Sequence, residues 1–174
     1  MEIRKVVVVG AGTMGHGIAQ VAAMAGTDVV LVDTTQGLVD TGLARIRANL
    51  DEGVGRGKVE ASTRDAAVRR LSGSTDPAEA ATAADLAVEA IPERLDLKRA
   101  LFRTLEEGAP DHAILATNTS SLSITALQEG LARPERVVGM HFFNPVHIMK
   151  LVEVVRGERT AEEVVEAAAE LARR

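Results

Sequence analysis

Hydrophobic and polar positions alternate on two length scales along this chain. Short apolar runs rich in β-branched residues, at Ile3–Val9, Asp28–Val32, Asp85–Ile91, Ala113–Thr117, Val137–Met140 and Leu151–Val155, predict strands buried on both faces. Between the earlier runs lie longer segments with apolar residues on one helical face: Thr13–Ala25, closed by Gly26, then Asp96–Glu107 and Ile124–Leu131. After the second strand, Gly37–Asp51 and Thr63–Leu71 read as the arms of a helical hairpin, parted by a break at Gly53, Gly55 and Gly57. The last segment, Thr160–Arg174, opens on a Thr-x-x-Glu capping pattern, Thr160 and Glu163, and predicts a helix. This alternation predicts one α/β domain over residues 1–174. Its core is a doubly wound, mostly parallel sheet with helices on both faces, right-handed crossovers and a helical hairpin insertion.

Composition narrows the function classes. A chain of 174 residues buries enough surface for one apolar core. The net charge of −5 and the absence of a long Lys/Arg run argue against nucleic acid and anionic membranes as partners, since both demand concentrated positive charge. With no Cys there is neither a disulfide framework nor a thiolate nucleophile, and four scattered His do not make a metal site. Met1–Lys5 runs straight into the first strand without a cleavage-site pattern, so no targeting segment is read and the cytoplasm is the expected location.

The first chemistry-bearing motif is Gly10-x-Gly12-x-x-Gly15, placed between a strand and a helix, with Asp33 ending the next strand. In this context Gly10 permits a tight turn, Gly12 lets backbone approach a pyrophosphate at a helix N-terminus, and Gly15 allows close helix–strand packing. Asp33 can accept hydrogen bonds from an adenosine ribose. Its charge would repel a 2′-phosphate, and no Arg follows it, so NAD is favoured over NADP. A ligand-free glycine turn and an FAD site are the alternatives.

Two further pieces stand at predicted strand ends. His141 ends an apolar run within Gly139-Met-His-Phe-Phe-Asn144-Pro145, and Glu153 lies on the next strand. An imidazole there can take a hydroxyl proton as hydride leaves for a nicotinamide, and a carboxylate can hold the ring in one tautomer. In isolation the same two residues also fit a strand cap and a half-exposed strand carboxylate. Thr117-Asn118-Thr119-Ser120-Ser121 places hydroxyls and an amide at a third strand end, where they suit either a ligand or a helix cap.

In this order the pieces resemble the L-3-hydroxyacyl-CoA dehydrogenase family. The resembling phrases are Gly-Ala-Gly-Thr-Met-Gly-His-Gly-Ile-Ala-Gln at 10–20, Val-Glu-Ala-Ile-Pro-Glu at 88–93, Ala-Thr-Asn-Thr-Ser-Ser-Leu at 116–122, and Gly-Met-His-Phe-Phe-Asn-Pro-Val at 139–146 running into Lys-Leu-Val-Glu-Val at 150–154. The resemblance implies a Rossmann-type domain and an NAD-dependent oxidoreductase that interconverts L-3-hydroxyacyl-CoA and 3-ketoacyl-CoA, in fatty-acid or butanoate-type metabolism. It implies His141 as general base, Glu153 as its partner and Ser120 as a donor to the substrate oxygen. Cofactor contacts would fall on Gly10, Gly12, Thr13, Met14, Gly15, Asp33, Glu93, Lys98, Ser120 and Asn144. Substrate contacts would fall on Ser120 and, in the hairpin, Asn49 and Arg56, with Lys58 nearby. His147 stands where the resemblance implies Pro. The family's all-helical C-terminal domain, which closes over the acyl chain, has no counterpart in these residues, so weak activity is expected of the chain alone, with a separate helical domain or a homodimer as its partner. Two other readings stay open: a non-catalytic NAD-binding module or half of a split enzyme, and a dehydrogenase of a free hydroxy acid or sugar acid.

Overall fold

The computed structural model describes residues 1–174. Seven strands form one sheet in the order β3-β2-β1-β4-β5-β6-β7. The strands are β1 (Lys5–Val9), β2 (Asp28–Val32), β3 (Leu71–Ser74), β4 (Leu86–Glu89), β5 (Ile114–Thr117), β6 (Val137–Phe142) and β7 (Val152–Arg156). All neighbours pair in parallel except β6 and β7, which are antiparallel. The helices are α1 (Thr13–Met24), α2 (Gln36–Gly55), α3 (Ala61–Arg69), α4 (Pro77–Ala81), α5 (Leu95–Gly108), α6 (Ile124–Gln128) and α7 (Glu162–Ala172). None is long and apolar enough to cross a membrane.

The run of four valines in β1 follows from coverage on both faces. Val6 and Val8 join a core with Ile18 of α1, Ile46 of α2 and Val164 of α7, whereas Val7 and Val9 join a second core with Phe102 of α5 and Leu127 of α6. Successive side chains of a strand point to opposite faces, so a strand in the middle layer must be apolar at every position. The chain runs outward from β1 through β2 to β3, then returns to β4 on the other side of β1. The strand order therefore reverses between β1 and β4, and a crevice opens at their carboxyl ends.

Two local expectations are corrected. The helix expected over Thr63–Leu71 stops at Arg69, and Leu71–Ser74 is the edge strand β3. Its sequence Leu-Ser-Gly-Ser has no apolar run because an edge strand under one helix needs none. A Cβ on Gly73 would lie 2.3 Å from Val39 Cγ1, so the glycine lets α2 settle onto this edge. Thr160 does not cap the last helix, which starts at Glu162 after Ala161 without a side-chain cap. It is buried instead, donating to the Val137 carbonyl at 2.6 Å and accepting from the backbone N–H of Gly157 at 2.8 Å, so it ties β6 to the turn after β7. The short helix α4 carries its own signal, Asp76-Pro77, with the Asp76 carboxylate accepting from the backbone N–H groups of Ala78 and Glu79.

Candidate functional site

The glycine loop joins β1 to α1 at the crevice. Gly10 has φ +104°, and a Cβ there would stand 2.6 Å from the Ala90 carbonyl oxygen. A Cβ on Gly15 would stand 1.5 Å from the Gly10 oxygen, so this residue lets the helix press against the turn. Gly12 differs: a Cβ there meets nothing within 4 Å. It is also the N-cap of α1, where no side chain caps the first turn. Open space over uncapped N–H groups at a helix start fits a dinucleotide's pyrophosphate. Asp33 Oδ2 accepts from the backbone N–H of Ala11 at 2.7 Å and Oδ1 from that of Thr34 at 2.7 Å, so the carboxylate is locked against the loop. The His16 ring adds an Nδ1–H bond to the Gly12 carbonyl at 2.7 Å.

A cleft of about 370 Å³ adjoins the loop. Met14, Glu93, Lys98, Ser120, His141 and Asn144 all line it, bringing together residues up to 130 positions apart that the sequence reading had singled out. His141 on β6 stands directly across from Glu153 on β7, and its Nδ1 meets Glu153 Oε2 at 2.8 Å. An acceptor on that side fixes the Nδ1–H tautomer and leaves the Nε2 lone pair free. The ring is held further by Phe143, with centroids 4.5 Å apart. The His141 side chain is 20% exposed and that of Glu153 is 56% exposed, so the acid sits on the solvent side of the base. Asn118 closes the arrangement: its Oδ1 accepts from the backbone N–H of Phe142 at 2.9 Å and ties the hydroxyl-rich turn after β5 to the histidine strand.

Behind the cleft wall formed by Glu93 and Lys98 stands a carboxylate that the sequence motifs do not single out. Glu89 ends β4 and is 0% exposed. Its Oε1 accepts from Lys98 Nζ at 2.6 Å and from the backbone N–H of Ile91 at 2.7 Å, and its Oε2 accepts from the Thr117 hydroxyl at 2.7 Å. Lys98 Nζ also stands 3.1 Å from Glu93 Oε2, and Glu93 Oε1 accepts from the hydroxyls of Thr119 and Ser121. Burial pushes the Glu93 carboxyl upward, but the hydrogen bonds from Thr119 and Lys98, with the ammonium's charge, hold it below the usual range. The available signal was a carboxylate at the end of an otherwise apolar strand run, with a lysine nine residues later.

The hairpin residues do not reach this cleft. Asn49 donates from Nδ2 to the buried Gln20 Oε1 at 3.1 Å and so ties α2 to α1. Arg56, at the end of α2, is exposed and pairs with Glu52 one turn back. Lys58 is exposed. His112 meets Asp85 at 3.2 Å on the surface, and His147 lines a different, mostly apolar groove beside β7.

Comparison with known proteins agrees with this geometry. Residues 5–174 match the family model for the 3-hydroxyacyl-CoA dehydrogenase NAD binding domain. The chain is 48% identical over 171 residues to the 3-hydroxyadipyl-CoA dehydrogenase of Escherichia coli K12, covering 98% of this chain and 36% of that protein. It is 45% identical over 163 residues to a probable 3-hydroxybutyryl-CoA dehydrogenase of Bacillus subtilis, covering 94% of this chain and 56% of the relative. A crystal structure of 3-hydroxybutyryl-CoA dehydrogenase from Escherichia coli K12 superposes with a TM-score of 0.95 at 48% identity, over 99% of this chain and 36% of that one. The chain thus spans between about a third and a little over half of the length of these relatives. On the glycine loop, the cleft and a match running from the first strand to the last residue, this chain belongs to the 3-hydroxyacyl-CoA dehydrogenase family as its NAD-binding domain.

Proposed function

We propose that this domain carries the cofactor site and the acid–base pair for NAD-dependent interconversion of L-3-hydroxyacyl-CoA and 3-ketoacyl-CoA. The observation that carries the reading is the 2.8 Å contact between His141 Nδ1 and Glu153 Oε2, with Ser120 in the same cleft as Met14 of the glycine loop. Gly12 and the first turn of α1 would hold the pyrophosphate of NAD, Asp33 its adenosine ribose, and Glu93, Lys98 and Asn144 the end nearer His141. When bound, NAD supplies the hydride acceptor. His141 Nε2 takes the proton from the 3-hydroxyl, because Nδ1 is already committed to Glu153. Glu153 stabilises the imidazolium that results, and its partial exposure lets water share that task. The Ser120 hydroxyl donates to the substrate oxygen and aligns it with Nε2. In the reverse direction the imidazolium returns the proton.

A groove of about 710 Å³ runs between α1, β7 and the end of α7, lined by residues such as Ile18, Met140, Met149 and Leu151. Ile148 and Leu151 beside it are 63% and 50% exposed. Apolar surface of this kind marks a face that another domain covers, and it supports a helical domain as the partner that encloses the acyl chain. The test is NADH consumption with acetoacetyl-CoA, run with the chain alone, with a helical domain from a relative added in trans, and with His141→Ala. The expected result is weak or absent turnover alone, turnover on adding the helical domain, and its loss in His141→Ala. Equal rates with His141→Ala would overturn the assignment of the base, and faster reduction of free acetoacetate than of its CoA thioester would overturn the substrate class.

A further inference from the structure

Five polar groups close into a ring at the cleft wall, where Glu93 and Lys98 line the cleft and the other three stand behind them. The Thr117 hydroxyl donates to Glu89, Lys98 Nζ donates to Glu89 and stands against Glu93, the Thr119 hydroxyl donates to Glu93, and the Thr119 N–H returns to the Thr117 oxygen at 3.2 Å. The ring joins the end of β4, the start of α5 and the turn after β5. Two carboxylates share one ammonium, so its net charge is −1. The charge cannot be attributed to a solvated surface: the Glu89 and Lys98 side chains are 0% and 1% exposed, and only Glu93, at 40%, reaches water. Lys98 Nζ meets Glu89, the Ile91 carbonyl at 3.3 Å and Glu93, so each of its three N–H donors has an acceptor. The second carboxylate makes the wall anionic.

The cofactor changes charge at one end only. Its pyridinium ring is cationic when oxidised and neutral when reduced, whereas ribose and pyrophosphate are the same in both states. If His141 takes the proton of the reacting hydroxyl, the nicotinamide must lie beside it, in the cleft whose wall includes Glu93 and Lys98. We propose that Glu89, a buried residue that touches no ligand, sets the redox-state preference of the cofactor site by making this wall net negative, favouring the oxidised cofactor over the reduced one. The inference rests on the reading of His141 as base. It makes Glu89 a positioning and charge-setting residue: it keeps Lys98 between two carboxylates, so the ammonium's charge is cancelled by one and outweighed by both. The same field stabilises the positive charge that develops on the ring as hydride departs from the reduced cofactor.

The test needs no turnover. Dissociation constants for NAD+ and NADH are measured by calorimetry and by NADH fluorescence at one pH for the parent chain, Glu89→Gln, Glu93→Gln and Thr117→Val, with circular dichroism to confirm folding. Glu89→Gln is expected to raise Kd for NAD+ relative to NADH by about three- to tenfold, the order set by unit charges within roughly 10 Å at an effective dielectric of about 20 after partial screening. Thr117→Val removes the hydrogen bond from Thr117 to Glu89 without changing charge, so it is expected to shift both constants by one factor and leave the ratio alone. Glu93→Gln removes the same charge from a partly exposed position and is expected to move the ratio in the same direction, which decides the matter if Glu89→Gln does not fold. Equal weakening of both cofactor forms in the two Gln variants would overturn the proposal and leave the ring a purely structural device. Failure of the parent chain to bind either form would overturn the cofactor assignment itself, a distinguishable outcome.

Discussion

Gly12 and Gly15 lie three positions apart in one motif, yet the structure gives them different jobs. Gly15 is an obligate packing residue, since any Cβ would collide with the Gly10 carbonyl, whereas a methyl group on Gly12 points into open space. Gly15→Ala is therefore expected to lower the unfolding free energy, read from urea denaturation, by roughly 1–3 kcal/mol or more from overpacking. Gly12→Ala is expected to leave the midpoint nearly unchanged and to weaken NADH binding measured by fluorescence, because the methyl occupies the ligand's space. His141 and Glu153 separate in the same way. In the complemented enzyme, His141→Ala is expected to cost about 10²–10⁴ in kcat by loss of the base. Glu153→Gln is expected to cost less, with KM little changed, since its exposed side chain leaves room for water to stabilise the imidazolium. At this scale the sequence was informative about residue type: a Gly motif after a strand, an imidazole and a carboxylate at strand ends. It was uninformative about contact: nothing in it tells that Asn49 bonds Gln20 and so ties α2 to α1.

Elements are tied together by polar residues that strand and helix periodicity does not register. Asp85, just before β4, accepts backbone N–H bonds from Arg4 and Lys5 at 2.9 Å each and so caps the entry of β1. Burial raises its carboxyl, but those two N–H groups, together with His112, outweigh burial and hold it below the usual range. A lowered carboxylate pKa in the folded state contributes stability that is present above the unfolded value and lost as pH falls through the folded one. The urea midpoint is thus expected to fall on acidification below about pH 4, with a shallower fall in Asp85→Asn, which also loses about 1–3 kcal/mol at neutral pH. Glu93 acts with the same sign. Thr160 is the second such tie. Thr160→Val is expected to cost about 1–3 kcal/mol, read in the same titrations, because it strands the buried carbonyl of Val137 and the N–H of Gly157. A helix-cap role would predict a smaller loss and fraying confined to α7.

The whole molecule is closed on one side and open on the other. The β3 edge is covered by α2, while β7 at the opposite edge pairs only with β6 and borders the apolar groove. If that face receives a helical domain, Leu151→Lys is expected to leave NADH binding and the unfolding midpoint within about 0.5 kcal/mol of the parent, as for an exposed position. It is also expected to raise the concentration of helical domain needed for half-maximal turnover. Unchanged complementation would move the docking face elsewhere. The cleft lies at the strand-order reversal, where the carboxyl ends of β1 and β4 diverge, so the cofactor site is a consequence of topology before any side chain is chosen.

The sequence alone specified the α/β class through its periodicity and the glycine turn through its motif, because burial on two faces and tight backbone turns leave marks on consecutive residues, and its resemblance to a known family implied which residues could move a proton. What only the tertiary structure decided was pairing. The register that sets His141 opposite Glu153 depends on how the loop between β6 and β7 returns, and a shift of one residue would turn the carboxylate to the other face. Leu71–Ser74 became a strand because a sheet edge and α2 lay within reach, against a sequence with little strand character. Glu89 reads as an isolated charge in an apolar run; only folding, which brings Thr117 and Lys98 to its two oxygens, makes it part of the network behind the cleft wall.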